Sequence, residues 1–403
     1  MAGGPGERGT PSGAYRALGL ATLAFALCFS VWGLIAPLAP RFQELYGLSD
    51  TQISLVIATP VLLGSLFRIP MGVLTDRFGG RIIFTGMMLF LIVPVVLIGL
   101  FGGSFYGLLF WGFLLGVAGS SFAVGVPFVS RWFPASRQGV ALGVYGTGNI
   151  GTALAAYSAP AIAGAWGWRW AFWVFVVPLA AMAAAFWALG REAPGPRVHR
   201  SLAEGLAPFR EGAEPWVLSL FYFLTFGGFV ALGIYLPKLL VDLFGLEQTD
   251  AGLRAAGFVV LATLSRPVGG WLADRIGGGP LLAVVFAVLP LMALLLAFGG
   301  GMVPFTVGAL SSAALLGMGN GAVFKLVAAL YPGRTGAVTG VVGAAGGLGG
   351  FFPPLVMGAV RDLTGSYAIG FVLLALFAAG CFGVNAAFMK RWRARSEGRM
   401  EGV

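Results

Sequence analysis

Charge is what this sequence has least of: Asp, Glu, Lys and Arg together make up 10% of its 403 residues, where a soluble domain carries about 25%. So few polar groups cannot cover a water-facing surface for a chain of this length, which excludes an ordinary soluble domain. Histidine is almost missing, with His199 alone in a polar segment, and the two cysteines, Cys28 and Cys381, both fall in apolar runs. A disulfide framework is therefore not expected. No cluster of His, Cys, Asp and Glu has metal-ligand spacing, and neither a nucleophile–base pair nor a cofactor motif is present. No metal, no cofactor and no enzymatic activity are expected. The N-terminal segment lacks a cleavable leader pattern, so the first apolar run is expected to stay in place as a helix.

What fills the sequence instead is apolar: 58% of residues are hydrophobic and the mean hydropathy is +0.90. Lipid is the solvent that suits such a chain. Twelve runs reach the about 20 residues a membrane helix needs, at 16–39, 52–73, 82–102, 105–130, 138–164, 168–190, 216–240, 252–273, 280–299, 303–331, 336–360 and 367–389. The longest polar stretch, 191–215, divides six runs from six. The expected architecture is an all-α membrane protein of twelve transmembrane helices in two pseudosymmetric six-helix bundles. They span 1–190 and 216–403, joined by a cytoplasmic linker at 191–215 and ending in a short basic tail. Glycine, at 65 residues, is spread through the runs, where small residues let membrane helices approach closely.

A net charge of +10 raises the question of nucleic acid. The bases are scattered one or two per loop, however, which is the pattern of membrane topology signals. With the N-terminus in the cytoplasm, seventeen of the 25 basic residues fall in inner segments. Five, Arg41, Arg169, Lys238, Arg254 and Arg361, fall in outer loops. Both termini are thus expected in the cytoplasm, and no nucleic-acid partner is expected.

The two halves repeat each other. Arg68-Ile-Pro-Met-Gly-Val-Leu-Thr-Asp76-Arg77-Phe-Gly79-Gly80 is matched 198 residues later by Arg266-Pro-Val-Gly-Gly-Trp-Leu-Ala-Asp274-Arg275-Ile-Gly277-Gly278. At the same offset Gly148-Asn149-Ile150-Gly151 becomes Gly346-Gly347-Leu348-Gly349. Halves of like topology, related by an axis along the membrane normal, describe a transporter that rocks around a central site.

Arg68 and Arg266 are the central candidates. Each lies eight residues before the Asp that marks a helix end, hence about 12 Å deep and near the bilayer middle. A charge there costs at least about 2.5 kcal/mol. A structural tie between helices needs an acidic partner, yet all fifteen Asp and Glu fall in expected loops, tails or helix ends. Two buried guanidinium groups without counter-ions call for an anion from solution, and the planar fork of Arg suits planar oxyanions. Lys325 is the third intramembrane base. It is either a proton-linked switch, since a buried Lys lowers its pKa readily, or a side chain reaching to the cytoplasmic helix end. The Gly-rich stretches lie mid-helix, so they are not phosphate-binding loops. They pack helices and leave room for a small substrate, with Asn149 adding one uncharged donor.

The Gly72-Val-Leu-Thr-Asp76-Arg77-Phe-Gly79 pattern resembles the signature of the major facilitator superfamily. The resemblance implies that Asp76-Arg77 and Asp274-Arg275 latch cytoplasmic helix ends during gating. Leu66-Phe67-Arg68-Ile69-Pro70, Ser265-Arg266-Pro267, Tyr222 to Phe229 and the two Gly-rich stretches are together similar to the nitrate/nitrite porter family within that superfamily. That resemblance implies a nitrate and nitrite transporter in the inner membrane of a prokaryote, working as a monomer in the lipid bilayer. It implies Arg68 and Arg266 as a clamp on the planar anion, Asn149 and Tyr222 as donors, and Phe122 and Phe226 as aromatic walls. Lys325 departs from the pattern and leaves two couplings open, an antiporter exchanging nitrate for nitrite or a nitrate/proton symporter. A small-carboxylate exchanger for oxalate or formate and a non-transporting anion sensor are the competing readings.

Overall fold

The computed structural model describes residues 13–133, 135–194, 207–331 and 335–400. The described chain is helical throughout. In the first half, α1 comprises Ala14–Trp32 and Ile35–Tyr46, and α2 comprises Asp50–Leu66 and Arg68–Phe78. Helix α3 is Gly80–Phe101, α4 is Phe105–Leu115 with Gly116–Ser120 and Ser121–Ser130, α5 is Ala135–Gly146 with Ile150–Trp166, and α6 is Trp168–Trp173 with Val176–Leu189. In the second half, α7 is Glu214–Phe244, α8 Gln248–Ile276, α9 Gly278–Phe298 and α10 Met302–Leu330. Helix α11 is Thr335–Gly349 with Phe352–Thr364, and α12 is Ala368–Met400.

Among the described residues eleven helices are long and apolar enough to cross a membrane, and they coincide with eleven of the expected runs. The remaining run, 138–164, is traced by α5, whose two parts are joined by a 3-10 turn at Thr147–Asn149. A second 3-10 stretch, Gly116–Ser120, interrupts α4. A tightened turn in mid-helix is often a hinge or a point of local strain. Helix α2 breaks at Phe67 for a simpler reason: Pro70 has no N–H for the carbonyl four residues back, that of Leu66.

The internal repeat is visible in the backbone. Gly79 has φ 90° and ψ 152°, and Gly277, its counterpart, has φ 91° and ψ 145°. A side chain is strained at such a φ, so glycine ends the helix and lets the next begin at once. This accounts for one position of the repeated motif without any reference to gating.

Helix α3 packs on α6, and α9 on α12, at the periphery of the two halves. Their outward faces carry exposed Leu89, Val177, Trp187, Leu291, Phe298 and Leu376, an apolar surface of the kind that suits lipid. The halves meet through α2 against α11, α5 against α8, and α1 against α7, again in symmetry-related pairs.

One basic residue is not where the loop pattern puts it. Lys238 is inside α7 and fully buried rather than in an outer loop. Asp242 one turn later, and Asp50 from α2, supply the negative charge that lets the helix continue past it.

Candidate functional site

Arg68 and Arg266 converge on one aromatic ring at the centre of the bundle. The Arg68 guanidinium carbon is 5.2 Å from the Phe226 ring centroid, and that of Arg266 is 5.6 Å from the same ring. Phe226 is stacked on Tyr222, one turn earlier in α7, with centroids 5.0 Å apart and 10° between planes. The i, i+4 spacing on one helix face makes this possible. Phe122 of α4 flanks Arg68 on another side, at 6.0 Å, and Tyr145 and Phe25 hold Phe122 in place with centroid separations of 5.9 and 5.7 Å. Five of the expected site residues, Arg68, Arg266, Tyr222, Phe122 and Phe226, are thus brought together.

The way the two guanidinium groups are satisfied is the chemical key. Arg68, 5% exposed, donates from Nη1 to the Gly343 carbonyl of α11 at 2.6 Å and from Nε to the Gly119 carbonyl in the 3-10 stretch of α4 at 3.3 Å. The first of these bonds crosses from one half of the molecule to the other. Arg266 donates from Nη2 to the Tyr222 hydroxyl at 3.0 Å, while its Nη1 is buried with no protein acceptor. Among the described residues neither arginine meets a carboxylate. Dipoles and ring faces hold the two cations, and no protein charge neutralises them. Such a place attracts an anion.

Backbone and glycine complete the walls. A Cβ at Gly347 would lie 3.1 Å from Arg68 Nη1 and also strike Ser65, and one at Gly346 would collide with the Tyr222 ring. Only a bare backbone lets α11 come this close to the arginines. Gly148 and Gly151 do the same for α5 against Phe25 and the α1 backbone, and Gly349 for α11 against Phe223. Asn149 is buried in the 3-10 turn, where its amide donates to Gly146 at 2.7 Å. The structure ties it to its own turn.

Lys325 forms an ion pair with Asp274 in which both side chains are about half exposed. It is a partnered base near the helix end. Arg275 lies over the Trp271 ring at 4.1 Å and Arg77 over Phe78 at 5.3 Å. The side chain of Asp76 lies outside the described residues.

Sequence reasoning missed a second cluster, at the end of the bundle opposite the chain termini. Lys238 Nζ is 2.7 Å from Asp50 Oδ1, 2.6 Å from Asp242 Oδ2 and 2.6 Å from Gln43 Oε1. Gln43 and Asp50 belong to the first half and Lys238 to the second, so this is a lock between halves. Ser54 and Tyr235 bond across the same seam at 2.8 Å, and Asp362 accepts from the Asp50 and Thr51 backbone N–H groups at the start of α2. The Tyr367 hydroxyl donates to Asp242. Burial, then Tyr235 and the nearby carboxylates, push the Tyr367 phenol above its ordinary pKa, which keeps it a donor. An i, i+4 Lys–Asp pair closing an apolar run was the signal in the sequence.

A family model described as Major Facilitator Superfamily matches residues 21–354. The chain belongs to the major facilitator superfamily. It is 43% identical over 365 residues to a protein of Bacillus subtilis (strain 168) named "Nitrite extrusion protein", an alignment covering 91% of this chain and 92% of the relative. It is 41% identical to a protein of Staphylococcus carnosus (strain TM300) named "Probable nitrate transporter NarT", covering 88% and 91%. A relative in Mycobacterium tuberculosis (strain ATCC 25618 / H37Rv), also 41% identical, is named "Probable nitrate/nitrite transporter NarK2" and is covered to 91%, against 88% of this chain. Among solved structures, a bacterial homologue of the human lysosomal transporter Spinster superposes with a TM-score of 0.74, at 19% identity over 94% of this chain and 98% of that one. A human organic anion transporter gives 0.73, at 17% identity over 93% and 100%. This superfamily is the one the Gly72 to Gly79 pattern resembled, and its helical fold agrees with the apolar runs and the repeat.

Proposed function

We propose that the chain carries nitrate and nitrite across the membrane by alternating access, with the flat anion held between Arg68 and Arg266. The observation that carries this reading is the pair of unneutralised guanidinium groups that converge on Phe226, one of which keeps a buried N–H free of any protein acceptor. The names of the relatives support the choice of anion. A planar trigonal ion fits a slot with ring faces for walls and N–H groups at the rim. A dicarboxylate would need basic groups spaced along its length. The base distribution supports both termini in the cytoplasm of a prokaryotic cell, so that the Lys238 lock closes the outer end. On this reading 1–190 and 216–403 are the rocking halves of a monomer and 191–215 is their linker.

Two bare positive charges also bear on coupling. An empty carrier that must reorient with both arginines uncompensated moves charge through lipid at high cost. Exchange of nitrate for nitrite keeps the site filled in both directions. Lys325, already paired with Asp274, is poorly suited to be the proton-linked base of a symporter. The test is nitrate uptake into proteoliposomes at two external pH values, with or without internal nitrite. Uptake that requires internal nitrite and ignores pH is the expected result. Uptake into empty liposomes that rises at low external pH replaces exchange with proton symport, and no flux of either anion removes the assignment.

A further inference from the structure

Asn320 of α10 is 1% exposed, and both its amide nitrogen and its amide oxygen lack a hydrogen-bond partner. A buried amide left unpaired is costly, and nearly all such groups in folded proteins find partners. Each exception calls for an explanation, and a ligand that completes the set is one.

The position of Asn320 points to which ligand. Its neighbours fix its direction: Gly319 abuts Thr225 of α7, and Gly321 abuts the α8 backbone at Arg266 and Gly270. Asn320 therefore lies between these contacts, facing the seam of α7 and α8. One turn on, Phe324 touches the Tyr222 ring edge-on at 4.8 Å, and residues four apart share a helix face. The α7–α8 seam is where the Tyr222 hydroxyl meets Arg266. The internal repeat says the same independently. Asn320 follows Phe122 by 198 residues, the interval that relates Arg68 to Arg266. The repeat holds locally, since Phe133-Pro134 becomes Tyr331-Pro332 at the same interval. Phe122 flanks Arg68, so its counterpart is expected to flank Arg266. Where the first half places a ring, the second places an amide.

We infer that Asn320 is a further anion-binding residue, its amide N–H donating to an oxygen of the bound planar oxyanion beside Arg266. This rests on the reading of the arginine pair given above. The site is then asymmetric, with the Phe122 ring beside Arg68 and an amide in the matching place beside Arg266. That fixes which edge of the anion faces each half and gives the second half the means to tell three oxygens from two.

The test is calorimetric titration of the purified full chain with sodium nitrate and sodium nitrite, together with thermal melting of the anion-free protein. Asn320→Leu is expected to weaken nitrate binding about tenfold or more, the loss of one hydrogen bond to a charge. Its anion-free melting temperature should be unchanged or higher, because an unpaired amide has gone. Asn320→Ser, which restores one hydroxyl, should bind with intermediate strength and carries the comparison if the Leu variant does not fold. Wild-type nitrate affinity in the variants overturns the inference, as does an anion-free melting temperature lowered in step with any loss of binding. A wild-type protein that binds neither anion overturns the reading of the arginine pair, a result distinct from the failure of Asn320 alone.

Discussion

Lys238 and the pair Arg68 and Arg266 are all cations buried in an apolar bundle, and the chain treats them in opposite ways. Lys238 sits in a cage of two carboxylates and an amide oxygen within 2.7 Å. The arginines meet carbonyls, a phenol and ring faces instead. The molecule has the means to neutralise a buried base and does so at its far end, so the lack of counter-charge at its centre is a property of the site. On the reading proposed above, the neutralised cation is a lock and the bare pair a receptor for anions.

Replacing each cation by an apolar side chain of similar length separates the two cases. Arg266→Met should reduce nitrate flux by about a hundredfold or more, in line with about 2–5 kcal/mol for truncating a buried charged partner. It should leave the melting temperature of the anion-free protein unlowered, since it removes an unpaired buried N–H. Lys238→Met should do the reverse to stability. Stripped of their partner, the partly buried Asp50 and Asp242 keep only neutral donors, a loss below the about 3–5 kcal/mol of a fully buried pair and read as a lower melting temperature in detergent. Pairing Lys238→Met with Asp50→Asn and Asp242→Asn should recover much of it. Should both Met variants lose stability alike, the contrast between lock and receptor fails.

A smaller change sharpens the picture at the centre. Tyr222→Phe keeps the ring stacked on Phe226 and removes only the hydroxyl that accepts from Arg266. A second N–H of Arg266 is then without a protein acceptor. Affinity for nitrate in a binding titration should change by about tenfold, the scale of one hydrogen bond to a charged group, with the fold intact. The smallest effect belongs to Lys325 and Asp274. An exposed pair contributes under about 1 kcal/mol, so Lys325→Gln should shift the melting temperature little and leave nitrate/nitrite exchange running. Loss of all flux in that variant returns Lys325 to the transport cycle.

Much of this was legible in the sequence because charge in an apolar run is conspicuous. Arg68 and Arg266 stood out on that ground, and the 198-residue repeat tied them together. The aromatic walls Phe122 and Phe226 were reached through family resemblance, since nothing local distinguishes them among 34 phenylalanines. What the sequence could not convey were partners made by the fold. The acceptors of Arg68 are main-chain carbonyls at Gly119 and Gly343, which carry no side-chain signature. The Lys238 cage joins Gln43 and Asp50 to a residue about 190 positions away, and its only local hint was Asp242. Asn149 was likewise reached through the resemblance, and one of its two amide N–H groups donates to Gly146 in its own 3-10 turn.

The central claim is that two arginines, unneutralised by protein, are held for a planar anion. The most direct test is nitrate uptake against internal nitrite in proteoliposomes carrying Arg68→Lys or Arg266→Lys. Each substitution keeps the positive charge and removes the planar fork. Near-complete loss of uptake in both variants, with the protein still folded and inserted, is the predicted result. Wild-type uptake in either variant would contradict the claim.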